Sequence, residues 1–206
     1  MKKIAVVEVG VHRAEDTLRL YKKYIQSENH YYYGFEPNPD KFSLIEQEVG
    51  HLKNFFLIKK AVDLENVIKK FNIKEGASGI SSLYDINHDM EEKYYNRRFK
   101  AGFEKSAEVE CIRMDTFIEE NEIEEVIYLH CDAQGNDINV LKSFGDQIDK
   151  LKSGQVEASS GDFLYEYKEN STENCVTFLE NSGCEITKIT KNDHLGFEVN
   201  IEFLKI

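Results

Sequence analysis

The sequence predicts an α/β protein with a mostly parallel sheet that ends in an antiparallel hairpin. The first observation is a strand, a helix and a second strand in succession over residues 3–35, the unit from which nucleotide-binding α/β folds are built. The second is that further apolar strands end in or beside turns that carry an acidic residue. The third is a pair of late strands separated only by a turn, which favours antiparallel pairing.

Length and composition describe an ordinary globular chain. Its 206 residues, 41% hydrophobic and 31% charged, are expected to form one domain, residues 1–206. The formal net charge of −12 disfavours a nucleic-acid partner, because phosphates are held mainly by lysine and arginine. The four cysteines lack CxxC spacing, which indicates free thiols in a reducing compartment instead of a zinc site or a disulfide scaffold.

Neither a membrane partner nor a secretory signal is expected. The apolar run Ile4–Val7 is interrupted by Glu8 before the core of a signal peptide would be complete. No apolar run approaches the length of a membrane-spanning helix. A cytoplasmic protein is therefore the expectation.

The first predicted strand reads IAVVEVG and ends at Gly10. Its β-branched content suits a parallel strand that is covered on both faces. Residues 15–25 then carry Leu18, Tyr21 and Ile25 at helical spacing, with acids at the start that complement the helix dipole.

The second predicted strand leads into the segment YYYGFEPNPDKF, residues 31–42. It reaches Glu36, turns on two prolines and continues into a helical stripe of Phe42, Ile45 and Val49. Proline disfavours helix in the residue before it, so Glu36 is held extended at the carboxyl end of the strand. Ligands of open α/β sheets bind at this edge, where an acid can accept hydrogen bonds from a ribose diol. A solvated turn acid is the alternative.

The middle of the chain carries weaker signals. Asn54–Val62 is predicted as a third strand, residues 65–71 as a shorter one, and GASGISS at residues 76–82 as a loop. No apolar period persists over residues 84–106, and long aperiodic segments in compact domains are usually functional or disordered. This segment is interpreted as an insertion or lid on the substrate side, with a solvated surface excursion as the alternative.

The rest of the chain continues to alternate strands and helices. The strand VIYLHC ends at Asp132, and a glycine, Gly183, is expected to close the last helix in a left-handed conformation. The predicted elements are a strand at 109–113, a helix at 116–121 capped by Asp115, a strand at 126–131, a helix with the stripe Ile138, Leu141 and Phe144, a strand at 155–158 that ends near Glu157, a helix around Val176 and Leu179, and strands at 185–190 and 197–203.

Four predicted strands thus end in or beside an acidic residue. These residues are Glu8, Glu36, Asp132 and Glu157. Because parallel strands present their carboxyl ends along one edge of the sheet, the four acids are expected to converge on one crevice.

The short motifs of the chain occur in the order VEVGV, GFEPNP, AV, GISSL, MDTF, LHCDAQGND and QVEAS, over nearly its whole length. In this order the chain resembles the FkbM family of S-adenosylmethionine-dependent O-methyltransferases. FEPNP followed by the turn DxxGx[DE] is the more specific part of the resemblance. The resemblance implies a Rossmann-like, doubly wound class I methyltransferase fold, with a mostly parallel seven-stranded sheet and an antiparallel last strand.

The resemblance also implies S-adenosylmethionine as the cofactor and a role for several residues. Glu36 would bind both ribose hydroxyls, Gly10 would let the backbone approach the cofactor, and Asp132 would lie where the methyl group faces its acceptor. Glu8 would support the loop or contact the methionine amine. The residues implied around the cofactor are Glu8, Gly10, His12, Arg13, Glu36, Pro37, Ala61, Val62, Ser81, Ser82 and Asp132.

Two turns depart from the family pattern. A second glycine is common shortly after the first, whereas His12 and Arg13 occupy that space here. Arg13 could pair with the methionine carboxylate or stay exposed at a helix start. Asp137 replaces the usual glutamate, and Gln134 stands where an acid is common, which would weaken metal chelation by this turn.

Methyl transfer to a hydroxyl needs a group that removes the hydroxyl proton. The candidates are Asp132 and Glu157, with His130 behind them. Since strand alternation points His130 away from the face of Cys131, a hydrogen-bonded core histidine is its alternative. Asp132, Asp137 and Glu157 could instead hold a magnesium or manganese ion that lowers the pKa of the acceptor hydroxyl. The alternative for Asp137 is an acid favoured at a helix start.

The acceptor implied by the resemblance is a hydroxyl, and a sugar in a glycan or glycoconjugate is favoured. Tyr84, Tyr94 and Tyr95 could stack on such a sugar or serve as ordinary packing. A non-catalytic nucleotide- or carbohydrate-binding module would also fit the altered glycine turn. A nicotinamide-dependent reductase would share the ribose-binding acid, but the complete GxGxxG is absent after the first strand.

Overall fold

The computed structural model describes residues 2–75, 78–87, 103–161, 163–192 and 197–206. Strands and helices alternate along these residues, as predicted for an α/β protein. The elements are β1 (Lys3–Val9), α1 (Thr17–Tyr24), β2 (His30–Phe35), α2 (Phe42–Val49), β3 (Phe55–Ile58), β4 (Ala61–Val62), β5 (Ile68–Ile73), β6 (Lys105–Ile112), α3 (Met114–Glu120), β7 (Ile123–Cys131), α4 (Asp137–Lys142), β8 (Ser153–Ser159), α5 (Thr172–Asn181), β9 (Cys184–Lys191) and β10 (Glu198–Lys205).

The main sheet has seven strands in the order β3-β2-β1-β7-β8-β10-β9. Strand β1 lies in the middle and pairs in parallel with β2 and β7, whereas β10 is antiparallel to both β8 and β9. The prediction of a doubly wound, mostly parallel seven-stranded sheet with an antiparallel last strand is confirmed. The strand order reverses at β1, so the crevice expected for a ligand opens at its carboxyl end.

Both faces of this sheet are covered, as the side chains of β1 show. Val6 packs with Leu20 of α1 and Tyr32 of β2 in one apolar cluster. Its neighbours along the strand, among them Val7, belong to a larger cluster on the opposite face that includes Phe117 of α3. Successive strand residues point to opposite faces, so this alternation decides which side chains of β1 can reach the sheet edge.

A smaller sheet has the order β4-β6-β5, and its three strands fall between β3 and β7 in the sequence. It corrects the predicted third strand, Asn54–Val62, which is two strands in two sheets. Residues 55–58 pair with β2, whereas Ala61 and Val62 pair with β6. The chain turns between them, where Lys60 N donates to Ile58 O at 2.9 Å.

Several further element boundaries differ from the prediction; strand β5, for example, covers Ile68–Ile73 instead of residues 65–71, and β7 begins at Ile123 instead of residue 126. Strand β6 begins at Lys105 instead of residue 109. Helix α3 begins at Met114, so Asp115 lies in its first turn, does not cap it, and pairs with the guanidinium of Arg113. Glu157 lies inside β8, which continues to Ser159.

The interpretation of residues 84–106 as a lid stays a prediction. Residues 88–102, which include Tyr94 and Tyr95, lie outside the described residues. No helix within the described ranges combines the length and apolarity needed to cross a bilayer.

The end of β1 provides a test of the packing at the sheet edge. Gly10 has a φ of +90°, and a Cβ on it would lie 2.0 Å from the carbonyl oxygen of Asp132. We expect Gly10→Ala to lower the free energy of unfolding by about 2 kcal/mol or more, from left-handed strain and overpacking together. Urea unfolding measures this loss.

Gly79→Ala is the matched control, because the nearest atom to its Cβ would be His12 Cε1 at 3.9 Å, an ordinary contact. It should change the free energy of unfolding by no more than about 0.5 kcal/mol. Equal losses in the two variants would contradict a close approach of Asp132 to Gly10.

Candidate functional site

A pocket with about 650 Å³ of open space lies at the carboxyl ends of β1, β2 and β7. The pairing explains its position, because Val9 pairs with both Phe35 and Cys131, so the residues that follow these strands meet. Eight predicted cofactor residues line the pocket: Gly10, His12, Glu36, Pro37, Ala61, Val62, Ser81 and Asp132. The other lining residues are Val9, Asn38, Lys41, Phe71, Gly79, Leu83, Ala133, Gln134 and Asn136.

Glu36 is a buried carboxylate held by backbone amides. Its Oε2 accepts from His12 N and its Oε1 from Asn38 N, both at 2.8 Å. The side chain is only 5% exposed, and burial raises the pKa of Glu36 to about 7 despite these two hydrogen bonds. Each carboxylate oxygen has a second lone pair, so this group can accept two further hydrogen bonds from a ligand in the pocket.

The turn after β1 reaches Glu36 without a second glycine. His12 has a φ of +54° and Ala14 a φ of +59°, so two ordinary residues adopt the left-handed conformation that glycine usually supplies. The backbone amide of His12 therefore points at Glu36 while its imidazole lines the pocket. Burial first, and then the charges of Lys41 and Arg13, lower the pKa of His12.

Asp132 lies opposite Glu36, on the other side of Gly10. Its backbone N donates to Val9 O at 2.9 Å, which fixes the start of the 132–136 turn against β1. Its Oδ1 accepts from Gln134 Nε2 at 2.5 Å. The side chain is partly exposed in the pocket, so it can reach a bound molecule.

Glu157 lies one layer behind Asp132 and does not line this pocket. Its Oε2 accepts from Gln134 Nε2 at 3.3 Å, and Asn192 donates to its Oε1. Burial first, and then the charge of Asp132, raise the pKa of Glu157 well above its usual range. Glu157 therefore keeps a proton under conditions in which an exposed glutamate would lose it.

The carboxylates predicted to share a metal ion do not assemble around one point. Asp137 is fully buried, and its two oxygens accept from Ala133 N at 3.0 Å and Asn170 Nδ2 at 3.2 Å. These bonds fix the start of α4, while burial raises the pKa of Asp137 to about 6. Within the described part of the chain, no group of three or more histidine, cysteine or acidic side chains is placed to hold a metal.

Glu8 and His130 are buried on the α1 face of the sheet, away from the pocket lining. Glu8 Oε2 accepts from Thr17 Oγ1 at 2.6 Å and from the hydroxyl of Tyr32 at 2.8 Å. Burial raises the pKa of Glu8 to about 7 and lowers that of His130, whose Nδ1 lies 3.8 Å from Glu8 Oε1. Glu8 thus holds the start of α1 against β2, and its implied roles at the loop or the methionine amine stay predictions.

Two other predicted residues lie beside the pocket instead of lining it. Arg13 is exposed in an adjoining cleft that shares Asn38 and Lys41 with the pocket. Ser82 is fully buried, and its hydroxyl donates to Gln134 O at 2.7 Å, so it holds the turn after β7.

Sequence reasoning missed the polar residues that build the floor of the site. Asn136 donates to Val62 O at 2.9 Å and accepts from the hydroxyl of Tyr84 at the same distance. Tyr84 also stacks on Tyr167, with ring centroids 4.4 Å apart and the planes at 1°. Asn136 belongs to the motif DAQGND, and its place between an acid and a helix start was the only available signal.

Comparisons with known proteins agree with this architecture. A family model described as the methyltransferase FkbM domain matches residues 8–184. Methyltransferase FkbM from Methylobacillus flagellatus KT gives a TM-score of 0.58 at 10% identity, over 98% of this chain and 43% of that chain. The chain thus spans less than half the length of that protein.

A second solved structure, that of a fibrillarin/NOP5P complex, gives a TM-score of 0.55 at 12% identity, over 99% of this chain and 73% of that chain. At such identities a structural likeness shows the fold alone. A search of curated proteins found no match.

The environment of Glu8 predicts how stability depends on pH. An unfolded glutamate ionises near 4.5, whereas Glu8 in the folded protein ionises at about 7. The folded state therefore binds more protons between these values, and stability falls as the pH rises through this window. We expect Glu8→Gln to be more stable than the wild type at pH 8, by up to about 3 kcal/mol, and similar at pH 4.5.

Urea unfolding at both pH values measures this difference. Glu48→Gln is the control, since Glu48 is exposed on α2 and its replacement should leave the pH dependence unchanged. A Glu8→Gln protein that loses stability with pH as steeply as the wild type would show that Glu8 ionises normally.

Proposed function

Because the chain belongs to the FkbM methyltransferase domain family, we propose that it is an O-methyltransferase that uses S-adenosylmethionine to methylate a hydroxyl group. The observation that carries this proposal is the pairing of β1 with β2 and β7, which places Glu36 and Asp132 on either side of Gly10 in one pocket. One acid would hold the nucleoside, and the other would face the acceptor.

The pocket residues fit the cofactor. Bound there, S-adenosylmethionine would supply a methyl group on a positively charged sulfur. Glu36 would accept hydrogen bonds from both ribose hydroxyls, since its backbone contacts hold both oxygens in place. The buried pair Ala61 and Val62, with Phe71 and Leu83, gives an apolar wall suited to the adenine ring.

Asp132 is the side chain best placed to remove the proton of the acceptor hydroxyl. Asp132 would accept this proton from the hydroxyl oxygen that receives the methyl group, and the donor would leave as S-adenosylhomocysteine. Glu157 lies one layer further in and contacts the side-chain amide of Gln134, which also contacts Asp132. It therefore supports this proton transfer indirectly. We assign His130 no role in this step, because it lies beside Glu8 and does not line the pocket.

The described residues do not favour a metal-dependent mechanism for this site. Both oxygens of Asp137 accept hydrogen bonds that shape the turn, and Glu157 is bound by two amides. Since no group of three or more ligand side chains comes together within the described ranges, the proposed reaction uses no metal ion.

We propose a sugar hydroxyl, in a glycan or glycoconjugate, as the acceptor. This choice rests on the family resemblance. The formal net charge of −12 also disfavours a nucleic-acid acceptor, because phosphate backbones are bound mainly by lysine and arginine. Tyr84 lies next to the floor of the pocket, although Tyr167 already covers one face of its ring. A panel of simple glycosides with labelled donor tests the acceptor class directly.

Calorimetry tests the cofactor. The protein should bind S-adenosylmethionine and S-adenosylhomocysteine and leave NAD unbound. Glu36→Ala should lower the affinity by about 1.5–3 kcal/mol, the usual value of a hydrogen bond to a charged group, while Glu48→Ala should leave it unchanged. Binding of NAD alone would instead indicate a reductase, and binding without turnover a non-catalytic module.

The pH dependence of binding gives a second test of Glu36. Its pKa is about 7 in the folded protein, and the ionised form is the stronger acceptor of ribose hydrogen bonds. Affinity for S-adenosylhomocysteine should therefore rise between pH 6 and pH 8. Glu36→Gln should flatten this rise, and an unaltered pH profile in that variant would assign the titration to another group.

Asp132→Asn tests the catalytic role while it keeps the shape of the side chain. Loss of a positioned base should reduce turnover by about a hundredfold to ten-thousandfold. Affinity for S-adenosylhomocysteine should stay within about twofold, because the substitution changes no contact proposed for the ribose or adenine. Full activity in this variant would remove Asp132 as the base.

A further inference from the structure

Gln134 lies at the centre of a hydrogen-bonded arrangement that the proposed reaction has not yet used. It follows Asp132 by two residues and has a φ of +49°, a left-handed conformation that glutamine rarely adopts. Its backbone is held there, since Ser82 Oγ donates to Gln134 O at 2.7 Å. Such strain persists only where the surroundings fix it, and it is common at functional sites.

The side-chain amide of Gln134 joins two acids. Its Nε2 lies 2.5 Å from Asp132 Oδ1 and 3.3 Å from Glu157 Oε2. An amide nitrogen has two protons, so it can donate one to each carboxyl group. Gln134 thus connects an acid that lines the pocket to one buried behind it.

Tyr165 fixes the orientation of this amide. Its hydroxyl lies 2.7 Å from Gln134 Oε1 and 3.1 Å from Ile80 O. The hydroxyl has one proton to donate, and the shorter contact shows that it donates this proton to Oε1. If the amide were reversed, its oxygen would lie 2.5 Å from Asp132 Oδ1 and the carboxylate of Asp132 would lose this donor.

The ring of Tyr165 also limits movement of the turn. Tyr165 is buried, and a Cβ on Gly135 would lie 2.6 Å from its Cδ2. Gly135 has a φ of +89°, so the backbone next to Gln134 is in the left-handed region as well. The main chain and both ends of the Gln134 amide are therefore held by separate groups.

We propose that Gln134 is a positioning residue for methyl transfer. Its amide, oriented by Tyr165, holds the Asp132 carboxylate at the angle at which it meets the acceptor hydroxyl. This inference rests on the proposed function, in which Asp132 removes the hydroxyl proton. It adds that the rate depends on a neutral side chain that acts through Asp132.

Three variants separate positioning from packing. Gln134→Met keeps the volume but removes the donor, Gln134→Glu keeps the shape but places a third acid between two others, and Tyr165→Phe keeps the ring but frees the amide to reverse. Each should lower kcat by about tenfold to a hundredfold, the rate equivalent of one hydrogen bond to a charged group. The dissociation constant of S-adenosylhomocysteine should change by less than about twofold.

Gln47→Met is the matched control, because Gln47 is exposed on α2 and its loss should leave kcat unchanged. A merely structural role would lower cofactor affinity and kcat together. The proposal is overturned if kcat is unchanged in Gln134→Met, or if the affinity for S-adenosylhomocysteine falls in proportion to kcat.

Exchange of the Gln134 side-chain protons with water can be measured without an acceptor. It therefore tests the position of Gln134 separately from the proposed function. In protein labelled with ¹⁵N-glutamine, the side-chain protons of Gln134 should exchange with water far more slowly than those of Gln47, and Tyr165→Phe should speed that exchange. Fast exchange in the wild type would show that the Gln134 amide is not held between Asp132 and Glu157, whether or not an acceptor reacts. A wild type that binds no S-adenosylhomocysteine but shows slow exchange would refute the proposed methyltransferase function. It would still support the inference that the Gln134 amide is held between Asp132 and Glu157.

Discussion

The site depends on the contact between the end of β1 and the turn that follows β7. The carbonyl oxygen of Asp132 lies where a side chain on residue 10 would be, so the two chain segments can approach only because residue 10 is glycine. Val9 pairs with β2 on one side and with β7 on the other. One backbone contact therefore sets the separation of the two acids that define the pocket.

Four acidic side chains are buried near this contact. Burial raises the pKa of Glu8, Glu36, Asp137 and Glu157, each by exclusion of water from the carboxylate. Hydrogen bonds offset part of this cost in Glu8 and Glu36. Of these four acids, Glu36 lines the pocket, whereas Glu8, Asp137 and Glu157 lie behind its lining.

The sequence predicted the parts of the site that follow from strand ends. Gly10, Glu36 and Asp132 each come directly after a parallel strand, and the structure brings them together. Glu8 was grouped with them by its position in the sequence, but strand alternation turns it to the α1 face with Val6.

What the sequence could not supply were long-range distances. The break between β3 and β4 depends on which strand each half pairs with, and Asn54–Val62 has no proline or glycine to mark it. The contact between Gln134 and Tyr165 joins residues 31 positions apart, with α4 and β8 between them in the sequence. Such a contact follows from side-chain geometry, which no local pattern encodes.

The left-handed His12 has a consequence for how relatives of this protein are sought. At this position the fold requires a backbone N–H aimed at Glu36, and a residue other than glycine can provide it at a modest conformational cost. A consensus that demands two glycines would therefore pass over chains of this kind. A search keyed to the shape of the turn, and to the acid its amide meets, would retain them.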